Sequence, residues 1–127
     1  MAFITKNEEE FKQYQEFYED VIPLFVNVKT NHETIYGISC PQINDVQEMI
    51  INALKEVTMP FGCYIRVELG LLSDSSKFVT EIKINYDQWI QARNYNIEIE
   101  LEIAHALSNE FFKGLCNRYL KFTNKPS

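Results

Sequence analysis

The stretch FGCYIRVELGLLSDSSKFVTEIKINY, residues 61–86, predicts the centre of the fold. Its first half places mostly apolar residues at the odd positions from Phe61 to Leu71. Its second half does the same at the even positions from Phe78 to Tyr86. Alternation every second residue is typical of a strand with one buried face. Because residues 73–76 between the halves have turn chemistry, we expect an antiparallel hairpin.

Symmetric closure of this hairpin predicts its register. The apolar side chains then share one face, because the facing pairs are Leu71 with Phe78, Val67 with Ile82, and Ile65 with Ile84. On the other face, Glu68 lies opposite Glu81 and Arg66 lies opposite Lys83, and both pairs repel. The diagonal pairs Arg66–Glu81 and Glu68–Lys83 attract, so we expect a charged outer face on a half-buried sheet.

The rest of the chain supplies helices and a second hairpin. Apolar residues recur at helical spacing over 8–20, 44–57 and 104–120, and β-rich runs at 23–29 and 34–39 flank a short turn. We therefore predict one compact α+β domain over residues 1–127. Its single-layer, mostly antiparallel sheet has four or five strands with helices packed on one face, in the order α-β-β-α-β-β-(α)-β-α.

The stretch NIEIELEI, residues 96–103, admits two predictions. Strict alternation and β-branching favour a strand, with Glu98, Glu100 and Glu102 on its wet side and neighbouring glutamates ~6.7 Å apart. Glutamate's weak strand propensity favours the alternative, in which 97–103 begin a long C-terminal helix. In the strand, the repulsion within the row is tolerable only if the row stays hydrated or meets positive charge.

Catalytic and metal-binding signals are weak. Glu102 and His105 form a Glu-x-x-His element, but a di-metal site needs a second such pair, and the sequence offers none. Cys116 and His105 lie ~16 Å apart if both are on the last helix, too far for a cysteine nucleophile and its base. We expect no catalytic residue, no metal site and no cofactor.

The charge of the chain limits the classes of partner that it can bind. The net charge is −6 and the isoelectric point is about 4.9, which disfavours direct binding to nucleic acid or to an anionic membrane. A protein with a basic surface is the expected partner. Trp89, in a connector, is either a core anchor or an interface anchor. The candidate partner-binding residues are Glu98, Glu100, Glu102, Glu68, Glu81 and Trp89.

The location is predicted to be cytoplasmic. Residues 1–11 lack a secretory signal, no apolar run is long enough to span a membrane, and the three cysteines form no CxxC pair.

Three functions remain open, with the leading one a small acidic, non-enzymatic protein-binding module. Such a module would act as an inhibitor, an immunity protein or a phage anti-defence protein. The first alternative is an oligomeric phage or bacterial assembly accessory protein, or a secretion chaperone, and the sequence leaves monomer and homodimer open. The second alternative is a small enzyme that uses Glu102 and His105.

Overall fold

The residues described in the computed structural model include five strands, which form one antiparallel sheet in the order β1-β3-β2-β4-β5. The structure describes residues 2–17, 24–39, 43–59, 62–71, 78–94 and 96–108. The elements in these residues are β1 (Ala2–Thr5), α1 (Glu8–Phe17), β2 (Leu24–Lys29), β3 (Thr34–Ser39), α2 (Ile43–Glu56), β4 (Ile65–Leu71), β5 (Phe78–Ile84), α3 (Tyr86–Arg93) and α4 (Ile97–Leu107). The predicted α+β class, with an antiparallel sheet and packed helices, is confirmed.

Strand β2 lies between β3 and β4 and pairs antiparallel with both. Strands β3 and β4 therefore run parallel to each other, and α2, which joins them, passes over the sheet and contacts β1, β2 and β3. This close passage explains Gly37 on β3. A Cβ atom at Gly37 would lie 2.7 Å from the Met49 sulfur and 3.2 Å from the Val26 carbonyl oxygen.

The main core lies between the sheet and the helices α2, α3 and α4. On the sheet side, the core is formed by strand residues spaced two apart, and the apolar stripe of α2 packs on them. Its largest fully buried side chains are Leu24, Ile35, Met49, Ile50, Leu54, Ile65, Leu69, Ile84, Ile99, Ile103 and Leu107.

Helix α1 packs on the opposite face of the sheet. Phe11 on α1 contacts Phe25 and Ile38, which alternate with the core residues of β2 and β3, and its ring lies 5.1 Å from that of Tyr36. Helix packing on a single face thus describes α2, α3 and α4, while α1 covers part of the other face.

The predicted register of the β4–β5 hairpin is confirmed at its open end and wrong near its turn. Ile65 pairs with Ile84 and Val67 with Ile82, as the alternation requires. A register shift between Leu69 and Gly70 then sets Gly70 opposite Phe78, so the expected Leu71–Phe78 pair does not form. Bulges of this kind admit one extra residue on one strand, and a symmetric closure cannot anticipate them.

The strand predicted over 97–103 is wrong, because these residues form helix α4. The Asn96 side chain accepts a hydrogen bond from the Glu98 amide at 2.9 Å, which caps the helix. Glu98 and Glu100 lie in the first turn, where negative charge is favourable. Residues spaced by four, Ile99, Ile103 and Leu107, are buried. The alternation of Ile and Glu is therefore compatible with the spacing of a strand and with that of a helix, and these residues form the capped helix.

The short edge strand β1 pairs with β3 and was not predicted. The hairpin formed by β2 and β3 is confirmed, and its turn is closed by Thr30, whose hydroxyl accepts from the His32 and Glu33 amides. The turn expected at 73–76 lies outside the described residues, as do Cys40 and Cys116. The helix expected over 104–120 is described only as far as residue 108.

Trp89 on α3 holds the end of α2. Its indole Nε1 donates to the Leu54 carbonyl oxygen at 2.8 Å, and that carbonyl belongs to the last turn of α2, where no helical donor follows. The ring is 5% exposed, and the Arg93 guanidinium lies 4.9 Å from its centre. One side chain therefore joins two helices by packing and by a buried hydrogen bond.

Trp89→Phe should lower the free energy of unfolding by about 1–3 kcal/mol, because the Leu54 carbonyl loses its buried donor. Equilibrium urea unfolding followed by far-UV circular dichroism measures the change. Arg93→Gln, which removes only the exposed partner of the ring, should cost less than about 1 kcal/mol. Equal losses in the two variants would contradict the role assigned to the indole nitrogen.

Candidate functional site

One side of α4 remains exposed and carries both apolar and acidic groups. Five exposed residues fall within an arc of ~140° on the helix, at about 100° per residue. We call this set the α4 face: Ile97, Glu98, Leu101, Glu102 and His105. Ile97 is 66% exposed and Leu101 is 64% exposed, although both are large aliphatic side chains.

Among the residues that the structure describes, no cation forms an ion pair with the acids of the α4 face, Glu98 and Glu102. Their spacing of four residues brings like charges together, which costs a few tenths of a kcal/mol in a helix. Glu102 accepts a hydrogen bond from the Gln88 side chain of α3 at 3.0 Å, which fixes the carboxylate beside the two aliphatic groups.

Glu100 lies away from the α4 face. It is half-buried and lines a polar groove of about 420 Å³ against α2, together with Glu48, Asn52 and Gln47. On a helix, Glu100 is rotated by about 200° from Glu98 and from Glu102, each two residues away. The three glutamates expected in one row are therefore divided, with two on the α4 face and one in the groove.

Glu68 and Glu81 lie on the opposite face of the sheet from the main core. Glu68 is only 4% exposed, and its carboxylate contacts the Lys29 ammonium at 2.7 Å. Arg66 Nε lies 3.4 Å from Glu81, as the predicted diagonal requires. The expected diagonal from Glu68 to Lys83 is replaced by the contact with Lys29 on β2.

The structure therefore brings together only part of the predicted set. Glu98 and Glu102 share a surface, and Trp89 belongs to the core with its nitrogen already bonded. The buried carboxylate of Glu68 leaves little surface for a partner. Ile97 and Leu101 are functional candidates that the sequence pattern assigned to the core. The sequence did contain a signal for their exposure: if residues 97–103 form a helix, its apolar residues fall on two sides, and both sides need not be buried.

Glu102 and His105 are both exposed and stand one helical turn apart. Within the described residues, no group of three or more histidines, cysteines or carboxylates comes together to hold a metal ion. The described helices include none that is long and apolar enough to cross a membrane.

Glu68→Gln should lower the free energy of unfolding by about 1–3 kcal/mol, because the buried carboxylate is replaced and the Lys29 ammonium loses its close partner. Glu81→Gln is the matched control, because its ion pair is longer and more exposed, and it should cost less than about 1 kcal/mol. Urea unfolding of both variants measures the difference. Indistinguishable midpoints would show that burial of Glu68 does not strengthen its ion pair.

Comparison with known proteins yields no relative: no protein-family model matches the chain, and no curated protein or solved structure is significantly similar to it.

Proposed function

We propose that this chain is a small acidic, non-enzymatic protein-binding module that docks the α4 face onto a basic partner. One observation carries the proposal: Ile97 and Leu101 are both about two-thirds exposed and are flanked by two glutamates that lack ion pairs in the described structure. Exposed aliphatic side chains one turn apart are unfavourable in water and favourable in an interface.

The spacing of these groups suits a helix that lies in a groove. Helix-in-groove recognition uses anchors at positions i and i+4, which is the spacing of Ile97 and Leu101. Full burial of each side chain contributes about 1.5–3 kcal/mol, and the 11 residues of α4 extend over ~16 Å. The proposed partner therefore presents an apolar groove of about this length.

Charge indicates what surrounds that groove. A second copy of this chain would bring Glu98 and Glu102 against the same two acids, so self-association through this face is disfavoured. A groove bordered by lysines or arginines would neutralise them. The net charge of −6 would also speed encounter with such a partner.

These properties fit an inhibitor, an immunity protein or a phage anti-defence protein, because such proteins act by covering a surface and need no chemistry of their own. We place the module in the cytoplasm, where the free thiol of Cys63 stays reduced. An oligomeric assembly accessory protein or chaperone is the competing class, and the state of association separates the two.

Site-specific photocrosslinking tests the proposal in the cells that express the protein. A photoreactive residue at Leu101 should capture one protein with a basic surface, identified by mass spectrometry. The same residue at Glu16, which is exposed on α1, should not capture it. Capture of the same protein from both positions would count against docking through the α4 face.

Binding of the captured partner, measured with purified proteins, quantifies the contributions. Leu101→Ser should weaken binding by about 10–100-fold through lost apolar burial. Glu98→Lys with Glu102→Lys should slow association and reduce its dependence on salt. Glu16→Lys, a single charge reversal outside the face, should change the affinity, the association rate and its salt dependence much less than these variants.

Light scattering of the unmodified chain distinguishes the inhibitor class from the oligomeric assembly class. A monomer is expected. A stable dimer that Leu101→Ser dissociates would instead assign the α4 face to self-association and favour the assembly class.

A further inference from the structure

The strand order creates a row of three cations on the charged face of the sheet. Lys29 on β2 is the register partner of Arg66 on β4, and Arg66 is the register partner of Lys83 on β5. We call these three residues the cation row. Side chains directly opposite each other lie about 4.5–5.5 Å apart at Cβ, and like charges at that distance are destabilising.

The fold neutralises this row incompletely. Glu68 contacts Lys29 at 2.7 Å and Glu81 lies 3.4 Å from Arg66. Lys83 has no ion pair with any residue in the described part of the chain. Arg66 contacts its glutamate through Nε, and a guanidinium has further N–H donors. At least one ammonium and part of one guanidinium therefore remain available.

A pocket of about 430 Å³ opens beside the cation row. The described residues that line it include the whole row and no acid, on a chain whose net charge is −6: Lys29, Thr30, Asn31, Cys63, Tyr64, Arg66 and Lys83. Glu68 lies two residues after Arg66 on β4, and Glu81 lies two residues before Lys83 on β5. Both acids are therefore on the same side of the cation row. A concave site lined by one sign of charge concentrates ligands of the opposite sign.

Tyr64 gives this pocket an aromatic wall. Its side chain is 65% exposed, although tyrosine is large and mostly apolar. An exposed aromatic ring can stack on a flat ligand, and such stacking tolerates different bases. The volume lies within the range of small-molecule sites, about 300–1,000 Å³. Three strands span only ~10 Å, which is too short a track for an extended nucleic acid.

We propose that this pocket binds a small phosphorylated aromatic molecule of the nucleoside monophosphate class. The phosphate contacts Arg66 and Lys83, because guanidinium matches phosphate geometry and the second cation adds charge. The base stacks on Tyr64. This site lies on the opposite side of the sheet from the core that holds α4, and it does not depend on the α4 face.

NMR titration of the full chain tests the site with three probes: adenosine monophosphate, inorganic phosphate and adenosine. We expect saturable shifts at the amides of Tyr64, Arg66 and Lys83, with the nucleotide binding more tightly than either fragment. Lys83→Gln should weaken the nucleotide by roughly tenfold. Tyr64→Ala should weaken the nucleotide while leaving the affinity for inorganic phosphate unchanged.

The matched control is Lys12→Gln, which removes an equal charge from an exposed position on α1 and should leave nucleotide affinity unchanged. Thermal unfolding verifies that each variant is folded. Absence of saturable shifts with nucleotide and phosphate at millimolar concentration would overturn the site. Equal affinity in the Lys83 and Lys12 variants would overturn it as well. Full nucleotide affinity in Tyr64→Ala would overturn the assignment to the nucleotide class.

Discussion

The pairing of β2 with β4 is the constraint on which the rest of the structure depends. It sets two strands that are distant in sequence side by side, so that α2 must cross the sheet between β3 and β4. Their alternating apolar residues then form one continuous apolar face toward the main core, with Val28 facing Val67 and Val26 facing Leu69. The same register aligns the polar side chains on the other face. Core and charged surface are therefore two results of one pairing.

This coupling explains why the charges of the protein are unevenly used. The sheet brings Lys29 close enough to neutralise a buried carboxylate on β4, while the acids of α4 find no cation among the described residues. In the described part of the chain, acidic charge is thus ion-paired on the charged face of the sheet and lacks an ion pair on α4. A net charge alone does not distinguish these cases, although only unengaged carboxylates can meet a partner.

Period-two alternation was sufficient to predict which side of β4 and β5 faces the core: Ile65, Val67 and Ile84 are buried. This prediction does not depend on the position of the strands within the sheet. The alternation was insufficient where two periods coincide. The spacing of Ile99 and Ile103 fits a strand and a helix equally well. The cap at Asn96 and the packing of α4 against α2 stabilise the helix. In the cation row, the facing pair of Arg66 and Lys83 was predicted. The position of Lys29 beside this pair was not, because it requires knowing that β2 and β4 are neighbours.

The register shift at Leu69 and Gly70 has a consequence for whether β5 can accept another strand. Among the described strands, β5 lies at an edge of the sheet, and an edge offers unpaired backbone groups to any other extended chain. An irregular ladder beside it, together with Glu81 and Lys83 on the strand itself, makes a poor template for strand addition. The opposite edge, β1, is only four residues long. Both edges of the sheet formed by the described strands are therefore poor templates for strand addition, although its central strands are rich in aliphatic residues.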